Sequence, residues 1–424
     1  MEASPEDTLK FPLPSAPVRI LLGLIAGLVL GLSLHRVAPG LAPEVIATAR
    51  VLGKLWLAGL QMTIVPLIVC MLIVGVNSAR SAAASGRIAR RAMGWFVVLL
   101  LVAGTYSALL APLFLSWFTP SPELIAALKA GSAPVAVQGG LAEWIQQLVP
   151  TNAINAAAQG AIVPLVVFAL CVAFALNRIE ATRARLIVDF CQAIADTMIV
   201  IVHGVLWLAP IGVACLILPV AAEAGSSVLQ ALGVYVLMLC ALYFGITLAL
   251  YPLVRLGGEP VQRFARAILP AQVVAASTQS SLASLPAMMD ASNQGLEYPR
   301  SVTGLVLPMA VSLFRITSPI QYLAVASFLA WSFGIDLAIA PLALAVVLSA
   351  AISIGSVGLP GQAIFMGTNL PVAQSLGLPA EPLALLLAVD LVPDVFATVG
   401  NVSADLAVTS RVAQGEPADT SSSH

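Results

Sequence analysis

The chain has 424 residues, of which 60% are apolar and only 9% charged, and its net charge is −1; its mean hydropathy is +1.00. A soluble domain carries about a quarter charged residues, so this chain cannot cover itself with a hydrated surface. The balanced charge gives no footing for nucleic acid, and the alternating strands of a membrane barrel are absent, which leaves an all-α integral membrane protein with its backbone groups paired inside helices.

The N-terminal stretch MEASPEDTLKFPLPSAP is polar and rich in Pro. It reads as a cytoplasmic tail (1–17) rather than a cleaved leader, because further apolar stretches follow. Runs long enough to span a bilayer lie at about 18–35, 53–76, 92–118, 161–176, 186–218, 228–254, 301–333 and 382–411. Two more apolar segments, about 264–290 and 340–370, are interrupted by STQSSLASLP (277–286) and SIGSVGLPGQ (353–362). A Ser/Gly cluster closed by Pro is a helix stop and restart. At membrane depth such backbone is tolerated only where it lines a cavity or is buried in protein. The expected architecture is therefore eight transmembrane helices plus two re-entrant helical hairpins, an inverted repeat around a midplane site.

Arginine placement gives the orientation. Arg80, Arg87, Arg90 and Arg91 follow the second span, Arg178, Arg183 and Arg185 the fourth, Arg255, Arg263 and Arg266 the sixth, and Arg411 the last. The intervening loops near 36–52 and 119–150 hold only Arg36, Arg50 and Lys129. Both termini are expected in the cytoplasm, with the chain multi-pass in the cell (inner or plasma) membrane. Cys70, Cys171, Cys191, Cys215 and Cys240 sit in apolar stretches, match neither a metal nor a disulfide spacing, and read as buried small hydrophobes.

Charged residues inside the spans carry the chemistry. The last span, LLLAVDLVPDVFATVGNVSADLAV, contains Asp390, Asp394, Asn401 and Asp405. Spacings of four and seven put all of them on one helical stripe. Buried carboxylates are costly unless paired or facing water, so a stripe of acceptors suits an ammonium group or a cation, against the plainer reading of hydrogen bonds between helices. The seventh span contains LPMAVSLFRITSPIQY (307–322), with Arg315 at its centre and Thr317, Ser318 and Pro319 expected to break the helix after it. An arginine there must meet a carboxylate or an anionic ligand; Asp394 and Asp405 are the candidates. His35 and His203 lack companion ligands and read as structural, and GSVGLPG lacks the Lys-Ser/Thr of a phosphate loop. A membrane-embedded enzyme would need a nucleophile–base pair or metal cluster, and no such constellation is present.

These residues resemble the dicarboxylate/amino acid:cation symporter family, the glutamate-transporter fold. The matching segments are LQMTIVPLIVCMLIVGVNS (60–78), LVPTNAINAAAQG (148–160), LAPIGV (208–213), QSSLASLP (279–286), SIGSVGLPG (353–361) and the closing D…D…N…D helix (390–405). The resemblance implies a secondary active transporter working by alternating access, usually a homotrimer. Scaffold helices with part of the transport domain would lie in 18–254, a transport core in 255–412, and a C-terminal tail in 413–424. It places Ser280, Ser281, Val357 and Gly358 at the hairpin tips. Ser318, Asp394 and Asn401 would contact an amino acid, with Asp394 on the ammonium group and Asn401 on the carboxylate. Asn401 and Asp405 would border a cation site, and Na+ or H+ would be the coupling ion; no other cofactor is implied.

The departures bear on coupling. Where the family has Asn-Met-Asp-Gly-Thr, this chain has Phe314-Arg315-Ile316-Thr317-Ser318. Two Na+ ligands are replaced by apolar side chains. The last-span arginine of acidic-substrate members is Ala397, and its alternative position in the first hairpin is Gln279. Relative to the family, Asp to Ile and Met to Arg each add one positive unit, and Arg to Ala removes one. The pocket gains one net positive charge, equal to one monovalent cation. The expectation is a symporter or exchanger of amino acids or small dicarboxylates, a neutral or small amino acid preferred to glutamate. Arg315 would act as a tethered cation or as a ligand for the substrate carboxylate. Na+ coupling would be altered or absent, with Asp390 a possible proton carrier. The alternative is a channel or a transport-dead relative.

Overall fold

A computed structural model of the chain describes residues 16–84, 86–131, 149–355, 361–379, 381–414 and 416. Among them there is no strand. The first span is α1 (Ala16–Val37). The second is a long bent rod, α2 (Ala42–Gln61) and α3 (Ile64–Ala84), longer at both ends than the apolar run that announced it. Its bend falls where Pro66 has no N–H to give the Met62 carbonyl.

α4 (Arg87–Leu115) follows. Two short helices, α5 (Pro122–Gly131) and α6 (Ala153–Ala158), flank the connection to α7 (Ile162–Ala175). Asn152 caps α6, its Oδ1 accepting the N–H groups of Ile154 and Asn155 at 2.9 and 3.0 Å. The fifth span is α8 (Ala181–Trp207) stepping at Leu208 into α9 (Ala209–Ala224). The sixth is α10 (Ser227–Leu256).

The first interrupted segment is a helix–turn–helix, α11 (Val261–Thr278) and α12 (Ser281–Asp290). The seventh span is broken into α13 (Arg300–Leu313) and α14 (Thr317–Phe333). α15 (Ile339–Gly355) and α16 (Gly361–Ser375) follow; the second expected interruption, at 356–360, lies outside the described residues. The chain closes with α17 (Leu383–Val389) and α18 (Leu391–Ala413).

Six helical stretches of the described residues are long and apolar enough to cross a membrane: Ala42–Ala84, Arg87–Leu115, Ala181–Trp207, Ser227–Leu256, Arg300–Phe333 and Leu391–Ala413. Val18–Leu34, Pro164–Arg178, Ala209–Ala224 and Ile339–Gly355 are shorter apolar helices. Large apolar side chains such as Leu55, Leu109 and Phe190 face outward, where a soluble protein would place charge. Of the five cysteines only Cys70 and Cys191 are buried, and Cys171 is exposed. The expectation of buried thiols therefore fails for three of them: on a lipid-facing helix an outward position is already apolar.

Two packing arrangements position the site. α1 lies along α9, which in turn packs on α2. Gly23, Gly27 and Gly31 recur every four residues on the α1 face that meets α9; a Cβ at Gly27 would lie 2.6 Å from the Ala214 carbonyl oxygen, and one at Gly31 2.5 Å from that of Leu218. Small residues at this spacing let two backbones approach closely where no hydrophobic drive separates protein from lipid. Elsewhere α18 is the central rod. It packs against α10, α11, α13 and α4 and is buried from Gly400 to Ser410. Its C-terminal end is tied to α4: Arg87 and Arg91 pair with Glu416 at 2.7 and 3.3 Å, and Arg411 stacks over the Trp95 ring.

Candidate functional site: a polar cavity around the broken seventh span

Three irregularities in the helices converge on one cavity of about 350 Å³. The first is the turn between α11 and α12. Gln279 has a left-handed backbone, φ 51°, which ends α11, and its Nε2 donates to the Leu391 carbonyl at 3.1 Å. Ser280 is extended and starts α12, its Oγ accepting the Ala283 N–H at 3.2 Å. Gln279, Ser280 and Ser281 all line the cavity.

The second irregularity is the break in the seventh span. It lies at Phe314–Ile316, around Arg315 itself, rather than at the Thr317-Ser318-Pro319 run that follows it. Thr317, Ser318 and Pro319 form the first turn of α14, where a proline's missing N–H is not needed. Phe314 is extended, and its ring stacks on Phe96 with centroids 4.7 Å apart and planes 9° from parallel. Phe314 and Ile316 are each 1% exposed. Arg315 lies in the wall of the cavity; its carbonyl accepts from the Ser318 N–H and from Ser353 Oγ on α15 at 3.1 and 3.3 Å.

The third is the junction of α17 and α18 at Asp390. The Asp390 carboxylate is buried and both of its oxygens accept from Gln321 Nε2 at 3.0 Å. Asp394, in the first turn of α18, opens into the cavity. Among the described residues no side chain or backbone group donates a hydrogen bond to its carboxylate, and no cation lies within ion-pair distance. Asn401 lines the same cavity two turns on, with Oδ1 held by the N–H and the hydroxyl of Thr317 at 3.1 and 2.9 Å.

Of the residues singled out from sequence, Ser280, Ser281, Arg315, Ser318, Asp390, Asp394 and Asn401 therefore meet around one space, with Ala397 leaving a small apolar patch in its wall. Asp405 does not line it. It is fully buried, and neither carboxylate oxygen has a hydrogen-bond partner. Val357 and Gly358 lie outside the described residues. The expected direct pairing of Arg315 with a carboxylate is not formed among the described residues. Its Nε is buried without a hydrogen-bond partner. Asp394 and Asp405 are about 16 Å apart along their helix at 1.5 Å per residue, so one guanidinium cannot bind both.

The lining also includes Tyr243, Tyr322, Gln321, Thr368 and Thr398, which sequence reading had not assigned. Gln321 was a readable signal, a lone amide in an apolar helix; the tyrosines are indistinguishable from core aromatics without the fold. Of the positions that the resemblance sets beside a cation, Asp405 keeps two unbonded carboxylate oxygens, and the others supply less. A hard cation takes several oxygen ligands, whereas Phe314 is occupied by its ring stack, Ile316 offers no oxygen, and Asn401 Oδ1 is committed to Thr317.

The Sodium:dicarboxylate symporter family model matches residues 17–414. The chain is 29% identical to the Proton/glutamate-aspartate symporter of Escherichia coli (strain K12), over 91% of this chain and 89% of the relative. It is 26% identical to C4-dicarboxylate transport protein 2 of Ralstonia nicotianae, over 94% and 88%, and 27% identical to the Neutral amino acid transporter B(0) of Bos taurus, over 91% and 77%. With helices throughout the described residues, a turn at the expected place in the first interrupted segment and a family match over nearly its whole length, the chain belongs to the sodium:dicarboxylate symporter family.

Proposed function

We propose that the chain is a secondary transporter, a symporter or exchanger, that carries a small amino acid or dicarboxylate across the cell membrane by alternating access. The observation that carries this reading is the Asp394 carboxylate, open and unbonded in a cavity of about 350 Å³ that also holds Asn401 and Arg315. An ammonium group against Asp394 would form a charge-assisted hydrogen bond, and Asn401 and Arg315 supply donors for a carboxylate. The relatives are named for glutamate and aspartate, C4-dicarboxylates and neutral amino acids; a carboxylate is common to all of these. Ala397 in the wall favours a small neutral side chain, and among the described lining residues Arg315 is the one cation that could serve an acidic one.

Coupling to Na+ is altered or absent in this proposal. The Phe96–Phe314 stack and Ile316 fill the place of two sodium ligands with apolar groups, and Arg315 supplies a permanent positive charge. A resident charge cannot dissociate, so it cannot carry a gradient's energy. Transport is then exchange, facilitated diffusion or proton-coupled through a carboxylate such as Asp390. The two interrupted segments act as re-entrant hairpins, residues 255–412 form the moving core, and the rest of 18–254 supplies scaffold helices of a homotrimer. Uptake into proteoliposomes of alanine, serine, aspartate, glutamate and succinate, with and without Na+ or a pH gradient, tests the proposal. Uptake that requires neither ion, or only the pH gradient, is expected. Strict Na+ dependence refutes the coupling claim, and no uptake or binding of any of the five refutes the transporter reading in favour of a transport-dead relative.

A further inference from the structure

Gln321 lies one turn beyond Thr317 on α14 and is half-buried in the cavity wall. Its Nε2 is 3.0 Å from both oxygens of Asp390. A carboxylate only accepts, so the end of the amide that faces it must be the NH2 and not the carbonyl. Oε1 is then the free end. Among the described residues nothing donates to it, and it is not one of the unpartnered atoms sealed from solvent. The space it borders is the cavity that Asp394 also lines. The Asp394 N–H donates to the Asp390 carbonyl at 2.9 Å, so the two aspartates stand one helical turn apart on one face. The Asp394 carboxylate and the carbonyl that Asp390 orients are therefore neighbouring acceptors on one space. An alkylammonium group carries three N–H donors, more than one carboxylate satisfies.

We propose that Gln321 is a substrate-binding residue whose Oε1 accepts a second N–H of the ammonium group, and that Asp390 is the positioning residue that keeps this carbonyl turned to the cavity. Together they make the site prefer an amino acid to the same acid without its amine. The inference rests on the transporter reading above, with Asp394 on the ammonium group. A substrate without an amine would leave both acceptors facing no donor.

The test measures affinities of purified protein by calorimetric titration for two pairs that differ only by the amine: alanine with propionate, and aspartate with succinate. The proteins are wild type, Gln321→Leu, Gln321→Glu, Asp390→Asn and the double variant of Gln321→Leu with Asp390→Asn. The affinity ratio of amino acid to amine-free acid should fall about tenfold in Gln321→Leu, the worth of a hydrogen bond to a charged group. It should hold in Gln321→Glu, where the two acids share a proton and an oxygen still faces the cavity. In Asp390→Asn the new NH2 can donate to Gln321 Oε1 and draw it from the cavity, so the ratio should fall there too. It should fall no further in the double variant, which also removes the buried acid that leucine alone leaves without a donor. An unchanged ratio in both variants that carry Gln321→Leu, or a fall in Gln321→Glu equal to that in leucine, overturns the role of Gln321. A double variant whose fall is the product of the single ones shows Asp390 acting directly by its charge and overturns its positioning role. If wild type binds none of the four acids, the transporter reading falls and takes this inference with it; binding with an unchanged ratio removes this inference alone.

Discussion

At the scale of residues, the last span carries, after Asp390, one carboxylate open to the cavity and one sealed away from it. Asp394 faces the cavity without a partner, and Asp405 is fully buried with both oxygens unbonded. The open one has the geometry of a ligand. Asp394→Asn should lower amino-acid affinity about tenfold, roughly 1.4 kcal/mol, with an unchanged melting profile; calorimetric titration beside thermal unfolding in detergent checks this, and unaltered affinity would assign the amine elsewhere. The sealed one has two desolvated acceptors without a donor, and a buried polar group left unsatisfied costs about 1–3 kcal/mol. Asp405→Asn, which keeps the shape and removes the acid, should leave the melting temperature in detergent unchanged or higher; a fall would mean that a cation holds the carboxylate.

At the scale of elements, each interruption is built from a specific local device. The α11–α12 turn needs one left-handed residue, supplied by Gln279 and steadied by its bond to the Leu391 carbonyl. The seventh span stops because Phe314 is drawn into an extended conformation that places its ring on Phe96. Between α3 and α15 the device is a glycine pair: a Cβ on Gly75 would meet the Gly355 Cα, and backbone atoms cannot yield as a flexible side chain can. Gly75→Leu should displace the first arm of the second interrupted segment and bring uptake to background. Gly94→Leu should leave uptake near wild type, since a Cβ there meets nothing within 4 Å. Equal uptake by the two variants would show that the α3–α15 contact is dispensable. The position of the break in the seventh span was misplaced by a few residues in the sequence reading. Proline there marks the first turn of the next helix, and a Pro signal alone does not say on which side of it the chain unwinds.

At the scale of the whole molecule, the central question is which ion moves with the substrate. On the proposal above, substrate affinity measured against Na+ at fixed ionic strength should stay flat, because the two positions that the resemblance assigns to oxygen ligands hold a stacked ring and a buried isoleucine. A rise of tenfold or more across the titration would mean that other oxygens, the unbonded Asp405 carboxylate among them, build a sodium site. The membrane class, the order of spans, the first interrupted segment and the acidic stripe of the last span were all determined by sequence itself. Hydropathy, proline and charge within apolar runs act locally, and lipid leaves the backbone no alternative to helix. Tertiary structure alone decided which of those polar residues share a space. Asp394 and Asn401 face the cavity while Asp405, on the same stripe, is sealed, because what a helical face meets depends on the neighbours packed around it. It also decided that Arg315 stands apart from both carboxylates, that Phe314 finds Phe96, and that the Thr317 hydroxyl closes on Asn401. Those pairings join residues remote in sequence, and their distances are set by packing that no local pattern encodes.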